Sequence, residues 1–225
     1  MRTKSLLLAA ALGVAGAFSS SAQSTNVYSV NAVGYVKLNL VAGFNLIVNP
    51  LTNSTGNTIS VLLTNVADST TFFKWNPATQ RFTSASVFFE DGLGGGAWFP
   101  NATWNPGEAA FVNSTTATNV TFVGDVTQGS ALTVPFSIGY TMVASQVPQS
   151  LTLTNSGINF PAADSDVFFK WNPLTQRYTS ALVFFEDGLG GGQWSPSTPS
   201  INVGEGFFIS KSSPTNWVRS FSANN

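Results

Sequence analysis

The chain has 225 residues, enough for one large or two small domains. Nine Lys and Arg stand against ten Asp and Glu, a balance too weak and too acidic for nucleic acid, whose phosphates demand a clustered basic face. Only 8% of residues are charged while 13% are Phe, Trp or Tyr, the reverse of a disordered chain.

In chain order, Arg2 and Lys4 begin a short basic segment, Ser5 to Phe18 is an apolar run, and Ser20-Ser21-Ala22 supplies small residues. This pattern predicts a secretory signal peptide over 1–22, cut after Ala22, with export to the periplasm, outer surface or exterior. The run is too short to span a bilayer and no later stretch is apolar enough, so no membrane span is expected in the mature chain. Removing residues 1–22 leaves 203 residues with seven basic and ten acidic side chains. There is no cysteine, so an exported chain must be held by its core or its neighbours. Without histidine, Ser-His-Asp and Cys-His hydrolase arrangements and the commonest metal ligand are excluded.

Val36, Leu38 and Leu40 alternate with Lys37 and Asn39, the period of a half-buried strand. Phe44 to Val48 follows Ala42-Gly43 as a second strand after a tight turn. Asn57 to Val66 is the one short helix candidate, with Asn57 as its N-cap. Thr71 to Trp75, Arg81 to Ala85 and Ser86 to Glu90 are aromatic, β-branched or Thr-rich and read as strands. Between the first two, Asn76-Pro77-Ala78-Thr79 is turn chemistry. A loop of Pro77 to Gln80 places Trp75 opposite Phe82 and avoids a Lys74–Arg81 clash, so that register is predicted. Asp91-Gly92 and Gly94-Gly95-Gly96 mark a second connection, leading to Trp98. Glu108 to Val112 and Val120 to Val123 complete the set.

Everything then repeats. The stretch "FFKWNPATQRFTSASVFFEDGLGGGAWFP" from Phe72 returns from Phe168 as "FFKWNPLTQRYTSALVFFEDGLGGGQWSP". The same shift aligns Gly43-Phe44 with Gly139-Tyr140, and one residue later Gly107-Glu108 aligns with Gly204-Glu205. The prediction is an all-β protein of two homologous antiparallel units, sandwich- or barrel-like, covering 23–122 and 123–225, each with at most one short helix. Recent copying and a shared surface both explain why this one patch is so alike.

Few residues carry chemistry. Glu90-Asp91 and Glu186-Asp187 place carboxylates beside the glycine loops, with Trp98 and Trp194 expected to be partly exposed there. These six are the predicted ligand-binding residues. Glycosidases use a carboxylate pair flanking a sugar, yet adjacent strand residues point to opposite faces, which favours a solvated strand end and a turn aspartate. Glu90, Asp91 and loop carbonyls offer hard oxygens for calcium, though their spacing matches neither the EF-hand pattern nor the glycine-aspartate nonapeptide of calcium β-rolls. "GLGGG" lacks the lysine of a phosphate-binding loop. No catalytic residue, metal ligand or cofactor is assigned. Trp75 and Trp171 are expected in the core.

The strings "VNAVGYVKLNLVAGFNLIVNPL", "FFKWNPATQ", "NPGEAAFV", "VTFVGDV" and "GYTMVASQVPQS" resemble a family of secreted bacterial tandem-repeat β-proteins with no assigned activity. The family's "GEGFF" strand is kept at Gly204–Phe208 and altered at Gly107–Phe111, and its "FVGxVxQG" junction is kept at Phe122–Gly129. The resemblance covers nearly the whole mature chain and implies secretion and architecture, but no site residues. Residues and resemblance together predict a secreted, non-catalytic structural or envelope-associated protein. The alternative is a carbohydrate-binding module using tryptophans near the glycine loops, and the third reading is a carboxylate glycosidase. The expected partners are an extracellular polysaccharide or further copies of the chain, the two loops acting as paired contact points.

Overall fold

The computed structural model describes residues 32–154 and 158–223. The signal-peptide reading lies outside them.

The alternating segment forms β1 (Val33–Leu40) and the next strand is β2 (Gly43–Val48). Asn45 fixes the bend between them: its Oδ1 accepts from Val41 N–H at 3.0 Å, and its amide donates to the Val41 and Gly43 carbonyls at 2.9 Å. This turn is a corner and not a hairpin. β1 pairs with β8 (Thr118–Asp125) and β2 with β7 (Ala109–Ser114), both antiparallel. The ladder passes from Leu40↔Thr118 to Gly43↔Ser114, so one long ribbon folds round the corner and leaves its two halves in different layers.

The doubled stretch is a meander of β3 (Thr71–Asn76), β4 (Arg81–Phe82), β5 (Ser86–Glu90) and β6 (Gly96–Phe99). Trp75 faces Phe82, as its turn chemistry predicts, and the Thr83 N–H donates to the Lys74 carbonyl at 2.8 Å. Between Phe82 and Ser86 the register along β3 slips by one residue, a bulge that separates β4 from β5. The sheet order is β2-β7-β3-β5-β6, with β4 also on β3. The predicted helix is a single turn, α1 (Ile59–Leu62), with Thr58 and not Asn57 at its N-cap. Asn57 instead accepts the Asn53 N–H at 3.0 Å.

The second unit repeats the plan. β9 (Gly129–Phe136) pairs with β18 (Thr215–Phe221). The sheet runs β10 (Gly139–Val143), β17 (Phe207–Lys211), β12 (Val167–Asn172), β14 (Leu182–Glu186), β15 (Gly192–Ser195), with β13 (Arg177–Tyr178) on β12. A short pair, β11 (Leu151–Thr152) with β16 (Ser200–Ile201), has no strand counterpart in the first unit. The link between units is residues 126–128, because β8 runs on to Asp125.

Alternation along the strands then assigns three apolar layers. Ile47, Phe72, Phe88, Trp98, Ala110 and Val112 face the β1–β8 ribbon and its Leu40, Val120 and Phe122. Phe168, Phe184, Trp194, Phe207 and Ile209 face Val134, Phe136 and Trp217 of the β9–β18 ribbon in the same way. The opposite faces of the two sheets meet each other: Leu46, Ala109 and Phe111 pack with Met142 and Phe208. The two units therefore share a third core, and together form one compact body.

Candidate functional site

The six residues singled out in the sequence are largely occupied in building their own loops. Asp91 Oδ1 accepts the Leu93 N–H at 2.8 Å and the Gly95 N–H at 3.0 Å, and Asp187 does the same with Leu189 and Gly191. Those two amides hold each carboxyl below the ordinary aspartate pKa. Glu90 Oε1 accepts the Asp68 N–H at 3.1 Å while the Glu90 N–H donates to Asp68 Oδ1 at 2.9 Å, and Glu186 exchanges the same bonds with Asp164. Each carboxylate is thus a turn or strand-end device.

The expected exposure of the two loop tryptophans does not hold. Trp98 is 5% exposed and Trp194 6%, each packed against the phenylalanine opposite it in the ladder, Phe88 and Phe184. Their indole N–H groups donate to Leu63 and Leu153 carbonyls. The glycine of the loop is not what decides their exposure. Strand parity is: Trp98 shares the inward face with Phe88. Glu90 and Trp98 do come together at one polar hollow of about 400 Å³ under the loop, beside Thr64 and Asn65; Asp91 is not part of it. Lys74 and Lys170 are bound to Glu108 at 2.8 Å and Glu205 at 2.7 Å. Among the described residues, no three His, Cys, Asp or Glu side chains converge on a metal position.

The doubled sequence is spent elsewhere, on the contact between the units. From the first turn, Gln80 Oε1 accepts the Tyr140 N–H at 2.7 Å and its amide donates to the Tyr140 carbonyl at 2.9 Å. From the second, Gln176 makes the same pair of bonds to Phe44, at 2.7 and 3.0 Å. The Trp75 indole adds a bond to the Tyr140 carbonyl and Trp171 one to the Phe44 carbonyl, both at 2.8 Å. Gly43 and Gly139 are needed where they stand. Both have positive φ, and a Cβ there would lie 2.6 Å from Gln176 Oε1 or 2.8 Å from Gln80 Oε1. The Gly-Glu motifs are reciprocal too: the Val48 N–H donates to the Gly204 carbonyl at 3.0 Å and the Ala144 N–H to Gly107 at 3.1 Å. Each unit presents the same patch to the other, as an isologous dimer does.

Beside this junction lie two matching clefts. Phe44, Phe73, Phe82 and Phe111 of the first unit with Trp171 of the second line one of about 320 Å³. Their counterparts Tyr140, Phe169, Tyr178 and Phe208, with Trp75 and Phe82 of the first unit, line its twin of about 340 Å³. No charged side chain lines either cleft. The rings meet edge to face, Trp75 with Phe82 and Trp171 with Tyr178, both at 5.0 Å between centroids. The second cleft differs by two phenol hydroxyls, on Tyr140 and Tyr178. Trp75 and Trp171, read from the sequence as core, are walls of these clefts. The signal that pointed to them was the repeat itself, which marks the surface both units share.

The same sheet faces continue outward. Thr71, Val87 and Phe99 lie side by side across β3, β5 and β6, on the face of Phe73, and Phe89 follows on β5. Phe99 is 75% exposed, and the loop leucines Leu93 and Leu189 are 92% exposed. β6 and β15 each stand at one end of their sheet, as edge strands. No helix among the described residues is long and apolar enough to cross a membrane. No known protein family, curated protein or solved structure matches the chain.

Proposed function

We propose that this chain is an exported, non-catalytic structural protein that assembles through the outward aromatic faces of its sheets. One observation carries the reading: the side chains able to do chemistry are tied into loops and ion pairs, while a broad aromatic face with two clefts is left open. Asp91, Glu90, Lys74 and Glu108 each have a structural partner in both copies of the unit. Meanwhile Phe89, Phe99 and Phe185 are exposed beside sheet edges, and a chain only 8% charged offers little repulsion to a second copy. The likeness to secreted tandem-repeat β-proteins points the same way.

Sedimentation velocity over a concentration series tests this, with wild type against Phe99→Ser and Phe89→Ser. Serine already stands at the place of Phe99 in the second unit, as Ser195, so that fold tolerates it. Wild type should form larger species that both variants weaken. A monomer at every concentration that turns over a glycan, with loss of turnover in Glu90→Gln, would overturn the proposal.

The concavity of the clefts and the Tyr140 and Tyr178 hydroxyls favour a second reading, stacking of sugar rings on Trp75 and Trp171. Titrating a soluble β-glucan while following tryptophan fluorescence distinguishes it: saturable quenching lost in Tyr178→Ser supports sugar binding.

A further inference from the structure

Asp166 and Lys211 stand opposite each other, one step beyond the Val167↔Ser210 pair of β12 and β17. Their side chains form an ion pair and are 0% and 2% exposed. Thr70 and Ser114 hold the corresponding places in the first unit. There, each hydroxyl donates to a nearby backbone carbonyl, Ala67 or Thr116, at 2.7 Å. The fold closes at this point without any charge, so the second unit does not need an ion pair to be built.

An ion pair this deep gives up the hydration of both charges, and is stable only if the remaining lone pairs and protons are bonded. Here they are not. Asp166 Oδ1 has no hydrogen-bond partner. The Lys211 ammonium brings three hydrogens to two acceptors, the Pro161 carbonyl and Asp166 Oδ2. Beyond it lies the ring of Phe136, 5.8 Å away.

We infer that Lys211 and Asp166 become covalently joined, through an amide between Nζ and Cγ that staples β12 to β17. A proton first passes from the ammonium to the carboxylate, giving a neutral amine beside a neutral acid. Burial, which penalises the carboxylate, raises the Asp166 pKa, and the negative charge of Glu186 adds to this, against the bonds from Lys211 and Ala163. Nζ then adds to Cγ. The Ala163 N–H, 2.7 Å from Oδ2, holds the charge that develops on that oxygen. Oδ1 departs as water, taking the carboxyl hydrogen and one of the two amine hydrogens, and nothing is oxidised or reduced. Contact between the groups supplies a high effective concentration, and the apolar surroundings discourage the reverse reaction. In the product the single amide N–H keeps the Pro161 carbonyl, Oδ2 keeps Ala163, and the unpartnered oxygen is gone. Every polar group at the site is then satisfied.

The test is a tryptic map of the folded protein after denaturation. Asp166 belongs to peptide 82–170, and trypsin normally cuts after Lys211. With the amide in place, cleavage at Lys211 fails, and 82–170 appears fused to 178–219 at a mass one water below their sum. Lys211→Met should lack the fused species and release a free 82–170. Recovery of free 82–170 and 178–211 from wild type, with no fused species, would overturn the inference. The measurement needs no variant to fold, and it stands apart from the assembly reading.

Discussion

Gln80 of the first unit holds both backbone polar groups of Tyr140 in the second, its Oε1 on the N–H at 2.7 Å and its amide on the carbonyl at 2.9 Å. Gln176 returns the same grip on Phe44. Both glutamines have positive φ, 52° and 54°, which for a residue with a side chain needs a compensating gain. The clasp supplies it.

Replacing either glutamine by alanine removes two hydrogen bonds to the other unit and one to a proline carbonyl of its own turn, Pro77 or Pro173, at a partly exposed site where water recovers part of the loss. Each change should cost about 1–2 kcal/mol, read as a lower urea midpoint. Gln80→Glu should not rescue, because a carboxylate cannot donate to the Tyr140 carbonyl. The double change Gln80→Ala with Gln176→Ala should exceed either single change.

Gly206 faces Ala109 across the shared core. A Cβ on Gly206 would lie 2.8 Å from the Ala109 Cβ and 3.2 Å from Leu46 Cγ. The first of the two differences between "GEAAF" and "GEGFF", Ala109 against Gly206, therefore has a steric reason: alanine in one copy leaves room for glycine in the other. Gly206→Ala should destabilise by about 1–3 kcal/mol through overpacking. Adding Ala109→Gly should recover much of that, and a double-mutant cycle of unfolding free energies measures the coupling.

Trp98→Ala and Trp194→Ala should each cost about 3–5 kcal/mol, as buried aromatic truncations do. Phe99→Ser, at an exposed neighbour, should leave the unfolding midpoint nearly unchanged. Equal, small effects at all three positions would contradict the inward placement of the indoles.

The carboxyls of Asp68, Asp91 and Asp187 are held below the ordinary aspartate value of 3.8 by backbone N–H groups, from Glu90 first for Asp68, Leu93 for Asp91 and Leu189 for Asp187. A depressed folded-state pKa means the unfolded chain takes up protons first as pH falls. The stability they give is present above 3.8 and is lost as pH falls through the folded values. Thermal melting should therefore drop in that acid window. Asp91→Asn with Asp187→Asn keeps the accepting oxygen without titrating, and should flatten part of the drop.

From the sequence alone came the strands, the two units, the turn register at Trp75–Phe82 and the role of Asp91 as a turn residue. Those features are local: period-2 alternation, proline and glycine dihedrals, and cross-strand pairs act over a few residues. Tertiary structure decided the rest. The segment at Ala42-Gly43 reads as a tight turn whether its strands pair with each other or with β7 and β8, and only the distant partners made it a corner. A tryptophan beside a glycine loop reads as exposed until the inward face of β6 is known. The repeat announced a shared surface, but the bond from Gln80 to Tyr140, 60 residues away, depends on how two whole sheets stack. The same is true of Asp166 and Lys211, 45 residues apart. Burial turns an ordinary acid and an ordinary amine into a pair that cannot satisfy itself as ions, and burial belongs to the folded whole.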